Sequence, residues 1–280
     1  MNADTAAPVA PHVSPIPSAS PVSPMLLRLA DERATGALLR DHGTLYLAEG
    51  RVVHAESPAA PGIDILLTTG GRLPHEGWQR AIDEAGARRE VGRYLVDSGR
   101  IGGGELEICH LGALYDAAFF ALAPGSGPTR FRYGVGHWIG QVRPVPAAAV
   151  ERETLRRREL LDQVWPYPAV DTAPVVPRSP APGQSVTRRQ RALLELADGL
   201  RTPAGIAWAL GRPAFHTLLE VRRLAAAGLI DTPPDPPPGA RPGRAGRPAR
   251  PVLPAWIAEV SADPDIALLR RLRDALEANL

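Results

Sequence analysis

The sequence predicts an α+β protein: a domain of short antiparallel strands plus helices, a Pro-rich linker, a tri-helical unit and a C-terminal helix. Three observations predict it. Short apolar runs separated by Gly turns fill residues 36–56. Longer stretches with helical spacing follow. A Pro-dense segment at 166–184 then precedes three short, well-capped helical segments.

At 280 residues the chain has room for about two domains. No apolar run approaches the roughly 18 residues that a membrane span needs, and no charged start followed by an apolar stretch marks a signal peptide. The expected partners therefore exclude a membrane. The single cysteine, Cys109, rules out an intrachain disulfide and fits a cytoplasmic location. All 32 basic residues are Arg. That removes Schiff-base chemistry and the lysines of phosphate-binding loops and kinases.

Residues 1–24 hold six Pro without periodicity and read as a disordered leader. Residues 25–165 form the first domain. Met25 to Ala34 reads as a helix, with Leu26, Leu29 and Ala30 on one side. Strands at 37–39, 45–47 and 52–55 alternate with turns at Asp41-His42-Gly43 and Glu49-Gly50, the residue types tight hairpins require. A short helix is expected over Ile63 to Leu67. Residues 74–123 read as two helices with a break at Gly86, Arg130 to Tyr133 as a returning strand, and Val150 to Trp165 as a charged helix.

The pattern Gly36-x-Leu38, Gly43-x-Leu45-x-Leu47-x-x-Gly50-x-Val52-x-x-Ala55 resembles the PATAN domain of bacterial signalling proteins. So do Gly92-Arg93-Tyr94-Leu95-Val96-x-x-Gly99-x-Ile101 and Phe131-Arg132-Tyr133. The resemblance covers residues 25–165. It implies a protein-interaction module without a catalytic set, linked to partners of the response-regulator, small-GTPase or roadblock type.

Residues 166–184 carry six Pro and read as an extended spacer. In 185–231, Thr187 and Gln190 form a capping box. Thr202 and Pro203 open a second helix, Gly211 makes the turn, and a third helix runs from Pro213 to Ala227 with Gly228 closing it. The helix lengths and the closing Gly-Leu-Ile resemble the winged helix-turn-helix of MarR-like regulators, and also the helical units fused to PATAN domains. Residues 232–254 hold nine Pro and a basic run; Gly246-Arg247-Pro248 resembles the core of an AT-hook, and a basic linker is the plainer reading. In 255–280, Leu269, Leu272, Leu276 and Leu280 line one side of an amphipathic helix suited to packing on the body or on a second subunit in a homodimer.

Charge is uneven. Residues 25–165 hold 17 Arg against 18 acids, a net of −1, whereas residues 178–250 hold 12 Arg against 5 acids, a net of +7. A basic patch of this kind is the footprint of a nucleic-acid binder. Arg188, Arg189, Arg191 and Arg212 cluster at helix starts and are the expected phosphate contacts. His216, Thr217 and Arg223 are the candidate reading residues of the third helix. On a helical wheel, however, the apolar arc from Val221 through Leu218 and Phe215 to Leu219 is broad, and Glu220 sits in the narrow polar arc. Phe215 and Leu219 are therefore candidates for a protein-binding side. No catalytic motif, cofactor loop or metal-ligand spacing is evident: His54, His110 and His137 lie far apart in sequence, and Cys109 reads as a buried structural thiol. The expected function is a transcriptional regulator with a DNA-binding output. The alternative is a signalling adaptor that binds protein.

Overall fold

The computed structural model describes residues 22–69, 71–125, 127–180 and 184–233. The expected basic run and C-terminal amphipathic helix lie wholly outside the described residues, and so does the expected leader apart from residues 22–24. No helix among the described residues is long and apolar enough to cross a membrane.

The fold is α+β, built on a five-stranded antiparallel sheet. Helix α1 (Pro24–Asp31) opens it; the Ser23 hydroxyl accepts the Leu26 amide, and Pro24 occupies the first turn. Strands β1 (Gly36–Arg40), β2 (Gly43–Ala48) and β3 (Arg51–Glu56) form a meander. Glu49 and Gly50 both take positive φ between β2 and β3, the geometry that matches a hairpin turn to strand twist. Strand β4 (Arg130–Tyr133) returns beside β1 and β5 (Val145–Pro146) beside β3, giving the order β4-β1-β2-β3-β5. The register between β2 and β3 shifts after the Tyr46–His54 pair, so Val53 has no cross-strand partner.

Leu38, Leu45, Leu47, Val52 and Ala55 from the sheet pack with α1 and with Leu114, Ala117 and Ala118 of α5 (Gly103–Ala121). Helix α5 is buried on more than one side. Its Leu106, Cys109 and Ala113 join a second cluster with α2 (Ile63–Thr68), α3 (His75–Ala85) and α4 (Val91–Asp97). The expected break at Gly86 is a full separation: α3 ends there, Arg89 takes a positive φ, and α4 restarts. Residues 74–123 thus hold three helices rather than two. Helix α6 (Ala147–Val164) lies against α5 and α1.

The Pro-rich segment is not a free spacer. Pro168–Asp171 forms a 3₁₀ turn, and Val170 and Val175 are buried in the core of the helical unit. The Asp231 amide donates to the Val176 carbonyl, and the Arg178 amide donates to the Leu229 carbonyl. Two apolar side chains and these backbone bonds anchor the segment, and an extended edge tolerates prolines that have no amide to donate.

In the helical unit, α7 (Arg188–Leu194) opens with the expected capping box: the Gln190 amide donates to the Thr187 hydroxyl and the Thr187 amide to the Gln190 side chain. α7 ends at Leu194, and turns carry the chain on to Gly199. α8 (Pro203–Leu210) is capped by Thr202 and closed by left-handed Gly211. α9 (Ala214–Ala226) completes the unit.

Candidate interaction surface

α9 is the pivot of this region, and both its long sides are occupied. Val221, Leu224 and Ala225 pack into the helical unit's own core with Leu193, Ile206 and Val170. Phe215, Leu218 and Leu219 pack the other way, onto Phe119 of α5 and Leu161 of α6. The broad apolar arc of the third helix is thus two contact faces. Phe215 is 3% and Leu219 7% exposed. They are internal contacts rather than the partner-binding side that the sequence suggests, because the first domain itself covers them.

The N-terminus of α9 is also sealed. The first amides of a helix have no partner within the helix. Here the amides of Ala214 and Phe215 donate to the two carboxylate oxygens of Asp116 on α5, at 2.6 and 2.8 Å. Burial pushes the Asp116 carboxyl upward, while these two donors and Arg157 pull the other way. Arg157 of α6 completes the joint. It lies 3.6 Å from Asp116, donates to Glu153 and to the Tyr115 carbonyl, and sits 4.5 Å over the Phe215 ring. The bonds from Arg156, with help from Arg157, hold Glu153 down to about 2. Further along α9, the buried Arg222 donates to both oxygens of Asp171, to Asp162 and to the Trp165 carbonyl, which ties the 3₁₀ turn and the end of α6 to the helix.

The exposed remainder of α9 is one narrow stripe carrying His216 and Arg223, with Glu220 half-buried between them and paired to Arg223. Arg189, Leu193, Leu210, Arg212 and Pro213 join this stripe around a shallow cleft of about 410 Å³. Of the residues expected to touch DNA, the structure brings Arg189, Arg212, His216, Thr217 and Arg223 together at this cleft. Thr217 is only 4% exposed, and its hydroxyl donates to the Pro213 carbonyl, so it offers no reading group. Arg188 and Arg191 are exposed on α7 but do not line the cleft. Among the described residues, Arg189 and Arg212 have no acidic partner.

A second constellation joins residues that sequence spacing does not connect. His54 on β3, His110 on α5 and His137 in the loop after β4 stack into a column, with ring centroids 5.4 Å apart (His110–His54) and 3.9 Å apart (His54–His137). His110 Nε2 bonds the Val53 carbonyl, left free by the strand irregularity, at 2.8 Å. The Ile139 amide donates to His137 Nδ1, which leaves the proton on Nε2 to reach Glu56 at 2.9 Å. Tyr46 donates to the other Glu56 oxygen. Burial raises the Glu56 carboxyl, but the bonds from His137 and Tyr46 outweigh it and leave the group below the usual range. Burial, then His137 and His110, hold His54 well below the ordinary imidazole value, and burial lowers His110 to about 4.

Ligand atoms of His54, Glu56 and His137 lie within 4.8 Å of one another, close enough to suggest a shared ion. The ring geometry argues against it. Two imidazoles on one ion aim their in-plane lone pairs at a common point, whereas these rings stack face to face with 28° between planes. A metal on His137 Nε2 would also need the proton moved to Nδ1, where the Ile139 amide donates. Cys109 is buried as expected, and burial pushes its thiol up. The chain matches none of the protein-family models, curated proteins or solved structures with which it was compared.

Proposed function

We propose that this chain is a non-enzymatic, cytoplasmic signalling adaptor. In this reading the PATAN-like first domain and the winged-helix-like unit act as one body. The arginine-lined cleft beside α9 receives an acidic face of a protein partner of the response-regulator, small-GTPase or roadblock type. The observation that carries the reading is the Asp116 contact. A reading helix in a helix-turn-helix places its N-terminal residues against base edges; the N-terminus of α9 instead lies on a buried carboxylate of the first domain. Both of its long sides are filled as well.

A second reading, the DNA-binding regulator, is favoured by one observation: Arg189, Arg212, His216 and Arg223 surround one cleft and could follow a phosphate backbone. Titrating mixed-sequence duplex DNA into the full chain and into an Arg189→Ala/Arg212→Ala/Arg223→Ala variant separates the two. The adaptor reading expects equal affinity and equal salt dependence for both proteins. The regulator reading expects weaker binding by the variant and a log–log salt slope shallower by about 2.7, or about 0.9 for each phosphate no longer neutralised.

A further inference from the structure

We propose that the His110–His54–His137 column is an acid-sensitive clasp: protonation within it separates the rings and releases the loop of residues 134–144 from the sheet and α5. The geometry carries this. The loop joins β4 to β5 and is pinned at its centre. His137 inserts beneath His54, with Tyr46 of β2 edge-on at 5.0 Å and Trp138 at 4.4 Å. Trp138 meets Trp78 of α3 edge-on. The Trp138 and Ile139 carbonyls accept the first amides of α4, from Val91 and Gly92. His137 thus anchors to the sheet a strap whose next two residues, Trp138 and Ile139, are tied to the α3–α4 layer.

Imidazoles are an unusual choice for such packing. Nδ1 of His54 and Nδ1 of His110 are both buried without a hydrogen-bond partner, and an unsatisfied buried polar atom is costly. Apolar rings would fill the space without that cost. What imidazoles add is a charge that appears between pH 5 and 8. A proton on His54 would place a cation between two neighbouring rings with no acceptor for its Nδ1. The groups facing the column are Tyr46 from β2, Glu56 from β3, His110 from α5 and Trp138 from the loop itself. Glu56 reaches His137 but makes no bond to His54. The adjoining cleft of about 530 Å³ also bears Arg40, Asp41 and Asp64, and Trp208 of α8 reaches it. Release of Trp138 would therefore open a cleft shared by the first domain and the helical unit.

Histidines held neutral by the fold bind protons more readily in the unfolded chain. Their contribution is thus intact above about pH 7 and is lost as pH falls through the unfolded value near 6.5. The test is urea unfolding of the full chain from pH 7.5 to 5, with imidazole NMR titration. For each of His54 and His110, the unfolding constant should rise about 20-fold between pH 7 and 5. His54→Phe, which keeps a stacking ring, should remove about 20-fold of that rise. His110→Gln, which keeps a donor for the Val53 carbonyl, should remove a similar share if His54→Phe fails to fold. Loop resonances around Trp138 should broaden or shift before global unfolding. The proposal is overturned if the His54 ring titrates near 6.5 in the folded protein, or if both variants keep the parent's pH slope. A saturable rise in melting temperature with one equivalent of Zn²⁺ would also overturn it, since the column would then be a metal site.

Discussion

Asp116 is a buried carboxylate on α5, and its two oxygens take the amides of Ala214 and Phe215, 98 and 99 positions away. Replacing it by Ala strands two amides and removes one partner of Arg157, which keeps Glu153 and the Tyr115 carbonyl. Unsatisfied buried donors cost roughly 1–3 kcal/mol each, so Asp116→Ala should destabilise the protein by about 2–6 kcal/mol, read as a lower urea midpoint. Gly211 is the other residue on which the joint depends. It closes α8 at φ +57°, and a Cβ there would stand 2.4 Å from the Cβ of Thr69, just past α2. Gly211→Ala should cost about 1–2 kcal/mol from the left-handed backbone alone, and more from the clash. A Thr69→Gly background should relieve only the clash share, which a thermal-denaturation comparison of the single and double variants would show.

Among the elements, those specified by neighbouring residues are legible in the sequence itself. The Thr187–Gln190 capping box, the Thr202–Pro203 start of α8, the left-handed Gly211 and the Glu49–Gly50 turn depend on residues within a few positions of each other. What each element meets is not legible in the same way. A wheel of α9 yields the apolar arc from Val221 to Leu219 but neither the buried Leu224 and Thr217 beyond its edge nor its two occupants, because a wheel does not separate an exposed patch from a second buried face. The Pro-rich segment misleads for the opposite reason: composition speaks for a spacer, and two valines overrule it. Arg222 shows how firmly that segment is held. Arg222→Ala should cost about 3–5 kcal/mol, because Asp171 loses both bonds in a largely buried site. Arg222→Lys should recover little, since an ammonium cannot reproduce the two-pronged contact. Equilibrium unfolding of both variants would check this, and full recovery by Lys would contradict it.

Across the molecule, the sequence divides the chain at 166–184, yet the described contacts join residues on either side of that line into one body. Phe119 and Leu161 of the first domain share a cluster with Phe215, Leu218 and Leu219 of the helical unit, and Asp116 closes the end of the same helix. The histidine column is likewise long-range: positions 54, 110 and 137 meet only because β3, α5 and the loop after β4 converge. The basic stripe is legible as charge, but not as one side of a helix held on its other sides. The adaptor reading depends on α9 being sealed onto the first domain, and amide hydrogen exchange at Ala214 and Phe215, followed by NMR, reads that seal. As first-turn amides they have no acceptor within α9, so their protection must come from Asp116. Both should exchange only through near-global unfolding in the parent protein and rapidly in Asp116→Ala. Fast exchange in the parent, at the rate of a frayed helix end, would contradict the seal and return α9 to the candidates for a reading helix.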